Sequence, residues 1–209
     1  MGRGYNIGKK EGEAPFMKLY DISQEVFSCK VYPGDPAPRK QTLCATGAGD
    51  LYNLSAFSMC AHNGTHVDAP FHFLGEGKTV DRMALDIFVG SCYVARHRGN
   101  VCAADARQIL EKAAGAERIL IAGDITVTEE AAEVFADARI KLLGNEGQTV
   151  GPEDAPMQVH LILLSRDIAL LEGIVLKDVP EGHYFLNAAP LNLAGCDGAP
   201  CRAILVDLE

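Results

Sequence analysis

The stretch AHNGTHVDAPFHF, residues 61–73, constrains this chain more than any other. It sets His62, His66, Asp68 and His72 on even-numbered positions, and in an extended strand even offsets share a face. Fully extended, these four side chains would spread over about 33 Å at ~3.3 Å per residue, too far to serve one site. The chain must therefore bend. Gly64 can take backbone angles closed to other residues and is expected to turn the chain between His62 and His66. Pro70 fixes its own φ and restricts Ala69, so it is expected to aim His72 away from the other three.

His62, His66 and Asp68 then converge as two neutral imidazoles and a carboxylate. That set suits zinc, manganese or iron, and N/O ligands with open positions belong to catalytic rather than closed structural sites. Cys60 has the same parity and lies close by, but it reads as a buried thiol. His72 falls near the metal without binding it. An unperturbed pKa near 6.5 suits it to general acid or base work at neutral pH.

The remainder of the 209 residues is 48% hydrophobic, enough to bury one good core. One domain is expected over residues 17–209, preceded by a poorly ordered arm over residues 1–16. Met17 is a candidate natural start, because Lys10, Glu11 and Gly12 can be encoded by a purine-rich string of the ribosome-binding kind. A net charge of -9 and no dense basic run argue against nucleic-acid and membrane-surface partners. The polar first residues lack the apolar core of a secretory signal, and no apolar run is long enough to span a bilayer. The seven cysteines are odd in number, scattered and without a C-x-x-C pair, as in reduced cytoplasmic proteins.

The pattern of elements is α/β with a mixed sheet and a smaller second sheet. Strands are expected in KLYDISQEV, in NLSAFSMCAHNGTHVDAP running into the histidines, and in FVGSCYVARHRG, RILIAGD, IKLLG, IALLEGI, HYFLNAAP and CRAILVDL. Between Tyr32 and Pro38 the close prolines and Gly34 exclude regular structure. Helices are expected over residues 103–114, over TVTEEAAEVFADA with Thr126 and Glu129 at capping-box spacing, and over about 153–165 with acidic residues at its start.

The segment HNGTHVDAPFHF matches the H-x-G-T-H-x-D-x-P-x-H signature and resembles the cyclase-like metal-dependent hydrolases, a family that includes kynurenine formamidase and isatin hydrolase. The resemblance extends from Asp21-Ile22-Ser23 and Tyr32-Pro33-Gly34-Asp35 through His160 and Leu171-Glu172-Gly173 to Ala189-Pro190-Leu191 and Gly195. It implies a swivelling β/β/α type of fold and a site of one or two Zn2+ ions, or of Mn2+. By the same resemblance His62, His66 and Asp68 hold one ion, Asp68, His160 and Glu172 hold the second, and His72 is the general acid/base. A homodimer or homotetramer acting on a small molecule is implied as well. On the residues alone, His160 reads as a core histidine and Glu172 as a glutamate beginning a turn. Two departures stand out. Tyr32 occupies the place of a tryptophan that packs on an aryl substrate, and the loop from Gly144 to Thr149 departs from a Gly-x-Asp element, with Glu146 its nearest acidic residue.

The implied reaction is hydrolysis of an aryl N-formamide or cyclic amide by metal-activated water, with His72 moving a proton to the leaving nitrogen. Thr65 either orients the ligands through a hydrogen bond or caps the backbone of the bend. Tyr32 is the expected wall for a substrate ring. Two alternatives share the same residues: a lactone or ester hydrolase, and a non-catalytic protein that binds metal or a small molecule. His97 and His183 read as solvated side chains outside the site.

Overall fold

A computed structural model describes residues 17–207. The arm expected over residues 1–16 lies outside the described residues. In chain order the elements are β1 (Lys18–Asp21), β2 (Arg39–Cys44), β3 (Leu54–Ser58), β4 (His66–Asp68), β5 (Val89–Arg96), β6 (Gly99–Val101) and α1 (Ala103–Ala113). They continue with β7 (Arg118–Ala122), β8 (Ile125–Val127), α2 (Glu129–Asp137), β9 (Leu142–Asn145), α3 (Met157–Leu164), β10 (Ala169–Glu172), β11 (Gly182–Asn187), β12 (Gly198–Pro200) and β13 (Ile204–Asp207).

Nine strands form one mixed sheet in the order β1-β13-β11-β5-β7-β9-β10-β4-β12. Its centre, β5-β7-β9-β10, is parallel, and each successive pair is joined across a helix. The strands outside this centre pair antiparallel on both sides. Two small two-stranded sheets, β2-β3 and β6-β8, lie apart from it.

Parallel strands covered on both faces read as continuous apolar runs, and β7 is buried at every residue. Alternate side chains of β7 divide the core. Ile119 and Ile121 pack with Ile109, Phe135 and Leu163 of the helices, whereas Leu120 and Ala122 pack with Tyr20, Phe88, Leu186 and Leu205. Phe135 is fully buried, and its truncation to Ala would cost about 3–5 kcal/mol.

Two helix starts differ from the sequence expectation. Thr126 is paired to Asn100 within β8, and the cap of α2 is Thr128, whose hydroxyl accepts a hydrogen bond from Ala131 N at 3.3 Å. Pairing of the preceding strand with β6 delays the helix by two residues. The third helix begins at Met157 rather than near Glu153, with Pro156 at its N-cap. Proline disfavours helical angles in the residue before it, so Glu153 and Asp154 remain in a turn and its first turn carries no acid. The helix after residue 103 ends almost as expected, with Ala114 and Gly115 both at positive φ, 48° and 89°.

Candidate metal centre

The histidine stretch is not one strand. His62 and Gly64 lie in a turn, His66 and Asp68 in β4, and His72 in a 3-10 turn over Pro70–His72. Gly64 has φ 69°, so the bend falls where a glycine permits it. In the antiparallel pairing of β4 with β10, His66 stands opposite Glu172, and Asp68 is two residues along on the same face. The end of a parallel strand and the start of an antiparallel one therefore meet at the carboxyl edge of the central sheet, where open α/β sheets bind ligands.

Gly173 closes the corner after Glu172 with φ 66°, and a Cβ there would come within 2.5 Å of Gly64 O. Thr65 joins the same two bends. Its hydroxyl donates to Gly173 O at 2.6 Å and accepts from Gln24 N at 2.9 Å. Both partners of the Thr65 hydroxyl are backbone groups.

Beside a more open group of ligand-type atoms, His62-His72-Asp197, two groups share Asp68: His62-His66-Asp68 and Asp68-His160-Glu172. In those two, all but His62 are almost wholly buried. Asp68 turns Oδ1 towards His62 and His66 and Oδ2 towards His160. His66 donates from Nδ1 to Gly64 O at 2.9 Å, and His160 from Nδ1 to Pro156 O at 2.8 Å. Each therefore presents Nε2 to the carboxylates, the division of labour expected of metal-binding imidazoles.

His62 Nδ1 lies 2.8 Å from Asp68 Oδ1, a direct hydrogen-bond distance, whereas the spacing of the inner atoms fits a cation. His66 Nε2 is 3.5 Å from Asp68 Oδ1 and 3.5 Å from Glu172 Oε2, and His160 Nε2 is 3.5 Å from Asp68 Oδ2 and 3.3 Å from Glu172 Oε1. Charge-assisted N–H to carboxylate bonds run about 2.7–2.9 Å, shorter than all four. Atoms sharing a tetrahedral shell about 2.0–2.1 Å from zinc stand about 3.3–3.4 Å apart.

The electrostatics agree. Burial alone would lower the pKa of His62, but its hydrogen bonds and charge pairing with Asp68 and Asp197 raise it to about 9. Burial likewise opposes charge on His160, yet Asp68 and Glu172 raise it to about 10. Burial would raise Asp68, but His160, His62 and His66 hold it well below the usual carboxylate range. Two buried carboxylates here attract positive charge, which protons supply when no cation does.

His72 is kept off the buried carboxylates, as Pro70 suggested, but not off His62: the two rings are 4.2 Å apart. Both reach Asp197 Oδ2, His62 from Nε2 at 2.9 Å and His72 from Nδ1 at 3.0 Å. Asp197 lies 125 residues from His72 in sequence. Its only local signal, Asp-Gly, is that of an ordinary turn, and sequence reasoning passed over it. Gly198 beside it lets β12 approach, since a Cβ there would fall 2.6 Å from Val67 O and 2.8 Å from His62 Cε1.

A cavity of about 200 Å³ opens onto the cluster, walled by Tyr32, Asp35, Phe73, Gln148 and Thr149. The Tyr32 hydroxyl donates to Glu153 O at 2.9 Å, which fixes its ring at the rim. A larger cavity of about 440 Å³ beside Phe27, Phe57 and Leu191 contains none of the paired ligand groups. Cys60 turns to Asp35, 3.7 Å from its Oδ2. Glu146 accepts from Gly123 N and Leu176 N and is a backbone tie. His97 contacts Asn100 O, and His183 packs on Tyr93, both outside the metal groups.

Residues 20–152 match the family described as "Putative cyclase". A kynurenine formamidase of Erythrobacter litoralis is 32% identical over 205 residues, covering 91% of this chain and 94% of the relative. A solved structure described as a potential metal-dependent hydrolase with cyclase activity aligns at TM-score 0.79 and 31% identity, over 92% of this chain and 99% of the other. Isatin hydrolase A from Labrenzia aggregata shares the fold at TM-score 0.81 and 19% identity, over 92% and 94% of the two chains. By the family match and by the extent of its likeness to these relatives, the chain belongs to the cyclase family.

Proposed function

We propose that this chain is a metal-dependent amidohydrolase acting on a small amide, an aryl N-formamide or a cyclic amide. The observation that carries the reading is the pair of buried donor groups sharing Asp68, with His72 beside them at the mouth of a cavity. His62, His66 and Asp68 hold one divalent cation, and Asp68, His160 and Glu172 hold a second. Zinc or manganese, when bound, supplies Lewis acidity that polarises a carbonyl and activates water near neutral pH. His72 takes the proton of the attacking water and delivers it to the leaving nitrogen. Tyr32 and Phe73 give the substrate ring an aromatic wall. Thr65 keeps the two ligand-bearing bends in register.

The relative named kynurenine formamidase supports an aryl formamide as the substrate class. Among the described residues no helix is long and apolar enough to cross a membrane, and all seven cysteines are free thiols. A single cytoplasmic domain over residues 17–209, working as a homodimer or homotetramer, is part of the same proposal.

The test is metal analysis of the purified protein followed by turnover of matched formamide, cyclic amide and lactone substrates. Bound zinc or manganese, preference for an amide, and activity abolished by chelation and restored by metal are expected. Faster lactone turnover would assign an ester hydrolase instead, and full activity after complete chelation would remove the reading altogether.

A further inference from the structure

The four histidines around the cluster differ in what anchors them. His66 and His160 each give one ring N–H to a backbone carbonyl, Gly64 O and Pro156 O. His62 and His72 lie instead against one carboxylate oxygen, Asp197 Oδ2, at 2.9 and 3.0 Å. An ionised carboxylate can only accept, so the nitrogens facing it carry the hydrogens: Nε2 of His62 and Nδ1 of His72.

We propose that Asp197 is the positioning residue of this site, setting the tautomers of His62 and His72 together. This rests on the reading of the site as a metal-dependent hydrolase. His62 Nδ1 also faces a carboxylate, Asp68 Oδ1 at 2.8 Å, so a cation would displace the hydrogen on Nδ1 while Nε2–H stays on Asp197. With Nδ1–H of His72 committed to the same oxygen, the free lone pair of His72 is on Nε2. One carboxylate thus aims a ligand and an acid/base through a single atom, with the two rings 4.2 Å apart and tilted by 34°. The Asp197 side chain is 40% exposed. Its backbone carbonyl, which accepts from Ala69 N at 2.9 Å, is untouched by substitution.

The experiment compares zinc-loaded wild type, Asp197→Ala and Asp197→Asn by three readouts: metal content, ring-nitrogen NMR of His72, and kcat against KM. Wild type is expected to show His72 protonated on Nδ1. Asp197→Ala is expected to keep its zinc, show His72 shifted to Nε2–H, and lose kcat by about 10²-fold or more with KM nearly unchanged. Asp197→Asn, whose amide oxygen still accepts, is expected to restore the wild-type tautomer and part of kcat. Wild-type His72 found as Nε2–H overturns the inference. So does an Asp197→Ala protein with unchanged tautomer and kcat, which leaves a purely structural tie, or one that loses an equivalent of zinc, which makes Asp197 a ligand. The NMR readout needs no substrate: if wild type hydrolyses none of the amides, the functional reading fails while the tautomer result still stands or falls alone.

Discussion

At the scale of residues, the site separates holding from proton transfer. Asp68 faces both donor groups from inside the protein, whereas the hydrogen bond of His72 is to Asp197 at the outer edge. His72→Ala is therefore expected to keep its metal by elemental analysis and lose turnover about 10²–10⁴-fold. Asp68→Ala is expected to lose metal and turnover together; full metal in that variant would contradict the shared-carboxylate arrangement. The raised pKa values of His62, about 9, and His160, about 10, mean that both carry a proton to be displaced at pH 7 in the metal-free chain. Calorimetry in buffers of different ionisation enthalpy should show proton release on zinc uptake at pH 7, declining as pH approaches 10. Uptake without proton release at pH 7 would rule this out. The sign for stability follows: in the metal-free chain these contacts stabilise fully below the ordinary histidine value of 6.5 and are lost as pH climbs through 9 to 10. His62, His66, Asp68 and His72 were legible because they crowd a single window. Asp197 was not, because a lone Asp-Gly has no periodicity and its partners are far away along the chain.

At the scale of elements, two corners hold the donors in register, and glycine makes both. At Gly173 the backbone is left-handed and a Cβ would meet Gly64 O at 2.5 Å and Gln24 Nε2 at 2.8 Å. At Gly115 φ is also positive, 89°, but nothing lies within 4 Å of a Cβ. Gly115→Ala is expected to cost only the backbone strain, about 1–2 kcal/mol. Gly173→Ala should cost more than this in urea unfolding and should weaken metal binding, because Glu172 moves with its corner. Equal costs at the two positions would show that the contact between the corners is unimportant. The sequence made the bend at Gly64 legible through glycine chemistry alone, and β7 through its apolar run. The start of α2 was not legible, because Thr126 and Thr128 both precede acidic residues and only pairing with β6 decides between them. β12, three residues long, is recruited by β4 and has no pattern of its own.

At the scale of the whole molecule, the mixed sheet brings together residues spread from His62 to Asp197. Alternating helices and strands in the middle of the sequence marked an α/β domain with a mixed sheet. The antiparallel additions on either side of its parallel centre could not be ordered in advance, because strand order depends on long-range pairing rather than on local periodicity. That pairing is what carries Glu172 to His66 and lets α3 deliver His160 across the same cluster. The most direct test of this account is anomalous scattering from crystals of zinc-loaded protein. Two peaks flanking Asp68 are expected, one among His62, His66 and Asp68 and one among Asp68, His160 and Glu172. Zinc bound elsewhere, with no peak next to Asp68, would contradict the account.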